Sequence, residues 1–339
     1  MAGIVDGLDR RRFRPTVVAV RAAFGEIGRH LQNRDVELVA LPQRFDLATE
    51  QIRAASFDAL YFWEVGTDAT NYFLPFCRMA PLQVTGWGWP ETSGAPALDF
   101  HLTSAALAPP GAERLFTEPL ARLPHLPAFP RLPPARPRPE RPERFGLPKG
   151  ARVYFCAQNL RKVHFDMDPM LAGILGADPA AVAVFIDDKS PVLGELLRRR
   201  WRAAIGEAAE RLIVLPRLPP DDYITLLASS HVVVDTPHFA GSNTAYDALI
   251  AGAPVVTLPG VEPRSRYTAA LHESAGITEL TAASAGEYVE IAVRVANDQA
   301  LRRTLGERLR SAVPVAFENP QAVRQLEDFL SAELELRAG

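Results

Sequence analysis

Cysteine is nearly missing from this chain: Cys77 and Cys156 are the only two in 339 residues, and each sits among apolar neighbours. Two thiols so placed argue against a disulfide framework. They suit buried, reduced cysteines and so point to the cytoplasm. No CxxC pair and no His-rich spacing points to zinc. No apolar run approaches the ~18 residues of a membrane span, so no membrane association is expected. The opening Met-Ala-Gly-Ile-Val-Asp-Gly-Leu-Asp lacks the apolar core of a secretory signal. Charge of one sign is also scarce. The net charge is -3, which makes no electrostatic case for nucleic acid as a partner. The arginine runs Arg10–Arg12 and Arg198–Arg200 fall within helical patterns and read as solvated faces. No short-period repeat suggests a solenoid.

What is present is an ordinary globular mixture, 47% apolar and 23% charged, with length for two domains. Prolines crowd the stretch from Pro124 to Pro148, with arginine and glutamate between them. Such a stretch holds neither a helix interior nor a central strand, so 124–150 reads as an extended linker. It separates a lobe at 1–123 from a lobe at 151–339.

Both lobes alternate strand and helix patterns. In the first, strands are expected at Val17–Val20, Val36–Leu41, Leu60–Trp63, Gln83–Trp87 and Phe100–Thr103. Helices are expected at Arg21–Leu31, Leu47–Ala55 and Tyr72–Met79. In the second, strands are expected at Val153–Ala157, Val182–Ile186, Leu212–Leu215, Val232–Asp235 and Pro254–Leu258. Continuous apolar strands alternating with helices imply parallel sheets covered on both faces. The expected class is α/β, two doubly wound Rossmann-like lobes facing across a cleft, with ligand beyond the carboxyl ends of the strands. Met1 to Phe13 reads as the end of a helix followed directly by a strand, as though the chain starts inside its first βα unit.

The strongest local signal is the run from Val232 to Gly260, a strand, loop, helix, Gly turn and strand. Its loop brings Gly241, Ser242, Asn243 and Thr244 to a helix N-terminus. Free N–H groups and the positive end of the helix dipole favour an anion there, and the hydroxyls of Ser242 and Thr244 add hydrogen bonds to a phosphate. Asp247 lies one turn on, in reach of a ribose hydroxyl. The competing reading is a plain N-cap that binds nothing.

A second signal is Phe155-Cys-Ala-Gln-Asn-Leu-Arg-Lys-Val-His164. Lys162 at a strand end can neutralise a leaving diphosphate, and Gln158 and Asn159 offer amide donors. A surface lysine is the alternative, and His164 reads as a structural or surface histidine rather than a base. Asp166-Met-Asp168 has the spacing of a two-carboxylate metal motif. Asp168 as N-cap with Pro169 at N1 explains it without metal. In the first lobe, Gly86-Trp-Gly-Trp-Pro-Glu-Thr-Ser-Gly94 is a rigid loop. Gly88 and Pro90 would let a sugar approach the backbone, and Trp87 and Trp89 either stack on that sugar or close the core. Tyr223 contacts a nucleobase or simply begins a helix. Arg264 and Arg266 touch acceptor or phosphate, or are solvated.

Taken together these segments resemble the protein O-GlcNAc transferases and their bacterial and SPINDLY-like relatives. The resemblance rests on Cys156 to Lys162, Asp235-Thr-Pro, Gly241 to Asp247, Ala251-Gly-Ala-Pro-Val-Val-Thr-Leu-Pro-Gly260 and the turn to Arg266. In the first lobe it rests on Ala80 to Val84 and Pro90 to Gly94. It implies a GT-B fold and inverting transfer from a nucleotide sugar, expected to be UDP-GlcNAc, to a protein Ser or Thr, with no metal or other cofactor. On that resemblance Lys162 stabilises the leaving diphosphate, and Gln158 and Asn159 fall near an amide contact. Ser242, Asn243 and Thr244 form the diphosphate segment, with Thr244 an identity to the animal form. Asp247 matches the ribose aspartate, and Tyr223 stands where the animal enzymes place a base-contacting histidine.

Two departures bear on the acceptor side. No tetratricopeptide repeats are found in this sequence. The family's histidine-bearing loop in the first βα unit lies before its start, and a second family histidine is replaced, with Glu37 its candidate substitute. These departures motivate a second reading, an inactive nucleotide-sugar-binding module of the same fold. A third is a nucleotide-sugar epimerase, for which no converging set of carboxylates and histidines is visible.

Overall fold

The computed structural model describes residues 1–33, 35–133 and 138–339. The chain divides into two compact units, Met1–Leu132 with Phe317–Gly339, and Pro133–Ala316.

In the first unit β1 (Thr16–Val20) and β2 (Glu37–Leu41) pair in parallel. A second parallel sheet takes β3 (Ala59–Phe62), β4 (Leu82–Thr85), β5 (Phe100–Ser104) and β6 (Leu120–Leu123) in sequence order. β6 was not expected, because Leu-Ala-Arg-Leu is too short to carry a periodic signal. The helix expected at Tyr72–Met79 forms instead as Ala69–Phe73 and then a tight 3₁₀ turn at Leu74–Phe76. Pro75 ends the regular hydrogen bonding there. Arg10–Arg12 lie in a turn, not a helix. The Arg10 guanidinium donates to the carbonyls of Val5 and Leu8, closing the end of the helix Ala2–Gly7. Arg198–Arg200 do lie in a helix, Pro191–Ile205.

The last helix, Gln321–Ala338, belongs with this first unit, although the sequence pattern assigned everything to residue 339 to the second lobe. Its Leu326, Phe329, Leu330 and Leu334 pack on the core of Ile4, Leu82, Val84, Leu102 and Leu123. The Gln325 carboxamide pairs with the backbone of His125, accepting at 2.8 Å and donating at 3.1 Å.

The expected linker at 124–150 is shorter than its prolines suggest. Its start is packed: Ala128 is buried, and Phe129 sits so close to Gly3 that a Cβ there would lie 2.3 Å from the ring. Its end is packed too, with a 3₁₀ turn at Pro142–Phe145 and a buried Leu147 in the core of the second unit. Prolines 134 and 137 lie outside the described residues.

The second unit is a five-stranded parallel sheet of β7 (Arg152–Phe155), β8 (Ala181–Ile186), β9 (Leu212–Leu215), β10 (Val232–Val234) and β11 (Val255–Val256). Its order is β11-β10-β7-β8-β9. The strands are short runs of β-branched and aromatic residues, buried on both faces as a helix-covered parallel sheet requires. Helix Asn243–Ala251 ends at Gly252, whose φ of 65° is the left-handed stop that favours glycine. No helix among the described residues is long and apolar enough to cross a membrane.

Candidate functional site

The strand order places one crevice. The chain leaves β7 toward β8 and β9 on one side, then crosses back to β10 and β11 on the other. In such a sheet the loops after the two central strands part in opposite directions and leave a gap at their carboxyl ends. β7 and β10 are those strands, with Val232 beside Tyr154 and Val233 beside Phe155. Their loops carry Gln158 to Lys162 and Asp235 to Thr244.

Asp235 is the hub. It is 1% exposed, and a carboxylate so buried needs donors. It has five. The amides of Thr236 and Gly241 each donate at 3.0 Å, Gln158 Nε2 at 3.1 Å, and the hydroxyls of Thr257 and Thr268 at 3.0 and 2.6 Å. Burial still pushes its carboxyl above the usual range against those hydrogen bonds. The Tyr288 hydroxyl donates to its backbone carbonyl at 2.7 Å. The loop 236–241 is therefore pinned from its inner side. The sequence marked Asp235 only as part of a family motif. Its signal was a carboxylate directly after three buried valines, but the partners Thr257, Thr268 and Tyr288 lie too far along the chain to be paired by inspection.

That pinned loop delivers Gly241 to the tip of helix Asn243–Ala251. A Cβ on Gly241 would stand 2.3 Å from Thr244 Oγ1 and 2.4 Å from Gln158 Nε2. Glycine is required here for internal packing, in addition to any close approach of a ligand. Gln158 Nε2 also donates to Thr244 Oγ1 at 2.7 Å, which orients that hydroxyl. Ser242 occupies the N-cap position without making a side-chain cap bond. Ser242 is half-buried and Asn243 is exposed, so the plain N-cap reading loses its main support.

Lys162 closes the other side. Its ammonium donates to Gln158 Oε1 at 3.3 Å and to the Ala240 carbonyl at 3.1 Å, and it lies 4.1 Å from the centre of the Phe239 ring. It is held by the residue just before Gly241, at the tip of the same helix, and is not a free surface lysine. Burial lowers its pKa below the usual lysine range, partly countered by the charge of Asp235. An anion arriving between ammonium and helix tip would meet two preformed positive ends.

The remaining candidates sort by place. The Asn159 side chain accepts from the Arg161 amide at 2.9 Å, and the residue is exposed. Tyr223 packs its ring on the core beside Phe155, and its buried hydroxyl lies beside Asp247 without a well-aligned hydrogen bond. Burial raises both groups above their usual pKa ranges. Tyr223 is thus a half-buried wall residue beside Asp247. Arg266 is not a solvated arginine: it is half-buried and donates to the Gly260 carbonyl at 3.0 Å. The carbonyl of Arg264 accepts from the Ala240 amide at 2.9 Å, backing the same loop.

Asp168 is the first residue of its helix and not the N-cap. Its buried carboxylate accepts from Arg200 at 2.8 Å and from Trp201 Nε1 at 3.1 Å, tying two helices together.

In the first unit the space at Gly88 is already taken, since a Cβ there would lie 2.1 Å from the Trp63 carbonyl oxygen. Pro90 is buried. These two residues serve close packing of the loop after β4. Glu118 locks the same loop by accepting from the Ser93 amide at 2.8 Å and the Thr92 hydroxyl at 2.7 Å. Glu37 starts β2, exposed, 3.9 Å from Arg14.

Comparison with known proteins identifies the family and the fold. A family model described as Glycosyl transferase family 41 matches residues 140–316, just over half of the chain. A tomato (Solanum lycopersicum) SPINDLY protein, named a probable UDP-N-acetylglucosamine–peptide N-acetylglucosaminyltransferase, is 30% identical over 226 residues. That match covers 66% of this chain and 24% of the tomato protein. The Arabidopsis thaliana SEC protein, with the same activity in its name, is 27% identical over 69% of this chain and 24% of its own length. The chain thus spans about a quarter of these curated relatives. Among solved structures, the Thermobaculum terrenum O-GlcNAc transferase mutant K341M matches with a TM-score of 0.86 and 27% identity, over 99% of this chain and 64% of that one. Anabaena Alr3699/HepE in complex with UDP shares the fold at a TM-score of 0.61 and 12% identity, over 97% of this chain and 94% of its own. The fold class is α/β of the GT-B type.

Proposed function

Because the chain belongs to glycosyl transferase family 41, we propose that it binds a nucleotide sugar, UDP-GlcNAc, in the crevice after β7 and β10 and transfers the sugar with inversion to a protein Ser or Thr hydroxyl. The observation that carries this reading is the Lys162 ammonium tethered to the Ala240 carbonyl at the tip of the Asn243–Ala251 helix. Sugar transfer leaves a nucleoside diphosphate, whose negative charge grows as the glycosidic bond breaks. Groups that meet that charge without reorganising lower the barrier most.

In this reading the helix-tip amides and the hydroxyls of Ser242 and Thr244 hold the diphosphate. Lys162 then exchanges its internal carbonyl partners for phosphate oxygens. Gln158 keeps Thr244 oriented, and Asp247, one helical turn along, takes a ribose hydroxyl with Tyr223 at its flank. The NH₂ of Asn159 adds a donor at the rim. In this reading the Lys162 ammonium and the positive end of the helix dipole stabilise the leaving group without a metal. The free cysteines Cys77 and Cys156 fit a reducing, cytoplasmic setting.

The test is UDP-GlcNAc binding by calorimetry together with release of UDP in the presence and absence of peptide acceptors. Binding with acceptor-dependent UDP release supports transfer. Binding without turnover supports the inactive-module reading, and 2-epimer formation without acceptor supports the epimerase. Absence of nucleotide binding sinks the proposal.

A further inference from the structure

Just outside the crevice, three side chains converge that the transfer reading does not use. His238 Nε2 lies 2.7 Å from Asp166 Oδ2, and His164 Nδ1 lies 3.3 Å from the same oxygen. All three ligand atoms fall within 4.8 Å of one another. We propose that His164, Asp166 and His238 bind a divalent transition metal of the zinc type, which clamps the loop after β10 to the segment after Lys162.

The donor set decides the metal class. Two imidazole nitrogens and one carboxylate oxygen suit zinc and its neighbours, while magnesium and calcium prefer all-oxygen shells. The spacing agrees. Bonds of about 2.0–2.2 Å in a tetrahedral shell put ligand atoms roughly 3.3 Å apart, near the 2.7 and 3.3 Å separations at Asp166 Oδ2. Three protein ligands leave a coordination position for water. Each side chain is 40–49% exposed, so a metal has an entry path. Asp168 is not part of the site, because Arg200 and Trp201 occupy its carboxylate.

The backbones under the ligands are held in place. Arg200 donates to the carbonyl of Val163 at 3.0 Å and to that of His164 at 3.4 Å. The Thr236 hydroxyl donates to the Phe239 carbonyl at 2.7 Å, spanning His238. The His164 ring is flanked by Phe165 and His238, with ring centres 3.9 and 4.6 Å away. His164 Nδ1 now accepts only a long 3.3 Å bond from the Asp166 amide. A metal can displace that bond. The sequence could not show this site, since His238 and Asp166 are separated by 72 residues.

The experiment uses the untagged full chain, stripped with chelator. Zn²⁺ is titrated by equilibrium dialysis with metal analysis, and Co²⁺ by visible absorption. One equivalent of each is expected, with the intense bands of four-coordinate Co²⁺. His238→Ala and Asp166→Asn should each weaken binding at least tenfold, while His30→Ala, which removes a surface histidine paired with Glu26, should not. Circular dichroism establishes that each variant is folded. If one variant fails to fold, the other still decides. No Zn²⁺ binding at micromolar metal, or binding unchanged in the folded variants, overturns the proposal. Neither result touches the diphosphate reading, which rests on Lys162 and the helix tip.

Discussion

At the residue scale, Lys162 and Asp235 do different work and should fail differently. Removing an ammonium that meets charge in the transition state costs about 10²–10³ in rate, and its half-buried stem is easily replaced by water. Lys162→Ala should therefore lower UDP release by roughly that factor with little change in melting temperature. Turnover at the unmutated rate would show that the anion is held elsewhere. Asp235→Ala should instead destabilise the second unit. It strands five donors, and each buried orphan costs about 1–3 kcal/mol before relaxation, so a loss of at least ~3 kcal/mol is expected in denaturant unfolding. Asp235→Asn should be milder. The Thr257 and Thr268 hydroxyls, which now donate to Oδ2, can rotate to accept from an amide in its place. Equal losses for the two variants would contradict the hub assignment.

At the element scale, the tip of helix Asn243–Ala251 is set by a glycine with no room for a side chain. Gly241→Ala should push Thr244 Oγ1 and Gln158 Nε2 apart, given Cβ distances of 2.3 and 2.4 Å. The expected outcome is nucleotide affinity weakened about tenfold or more while the fold persists. Calorimetry with UDP checks it, and an affinity within twofold of the unmutated chain would mean that the tip does not hold the phosphates. This scale also explains which elements could be read in advance. Ala181–Ile186 and Val232–Val234 announce themselves as apolar runs between turn residues. β6 did not, and Pro75 cut a helix that the apolar spacing of Tyr72–Met79 extends. The final helix was assigned with the second lobe, because an amphipathic face records that it is buried and not against what.

At the scale of the whole molecule, two buried histidines and one half-buried one bear on stability in acid. His101 in the first unit and His231 and His272 in the second are each pushed down to about 4, from an ordinary 6.5, by burial first. His231 also accepts a bond from the Val153 amide at Nδ1, at 3.1 Å, which a proton would abolish. A histidine whose folded pKa is lowered binds its proton more readily when unfolded. The stability it carries is complete above about pH 6.5 and is lost as the pH falls toward 4, by up to ~1.4 kcal/mol per pH unit for each group. Urea unfolding between pH 7 and 4.5 should show a steep decline. A flat profile would mean that these rings are open to water.

Read by itself, the chain settles its local chemistry: two α/β halves, the strand-loop-helix run from Val232, the Lys162 segment, and the family these resemble. Those features depend on periodicity and on neighbours within a few residues, which sequence preserves. Tertiary structure alone decided that Gln158 and Asp235 meet at 3.1 Å. It alone put Lys162 on the carbonyl of Ala240, filled the space beside Gly88 with Trp63, and gathered His164, Asp166 and His238. Each of these contacts joins segments far apart in the chain or fills a gap with a particular side chain. Such pairings are fixed by strand order and packing, which no local pattern encodes.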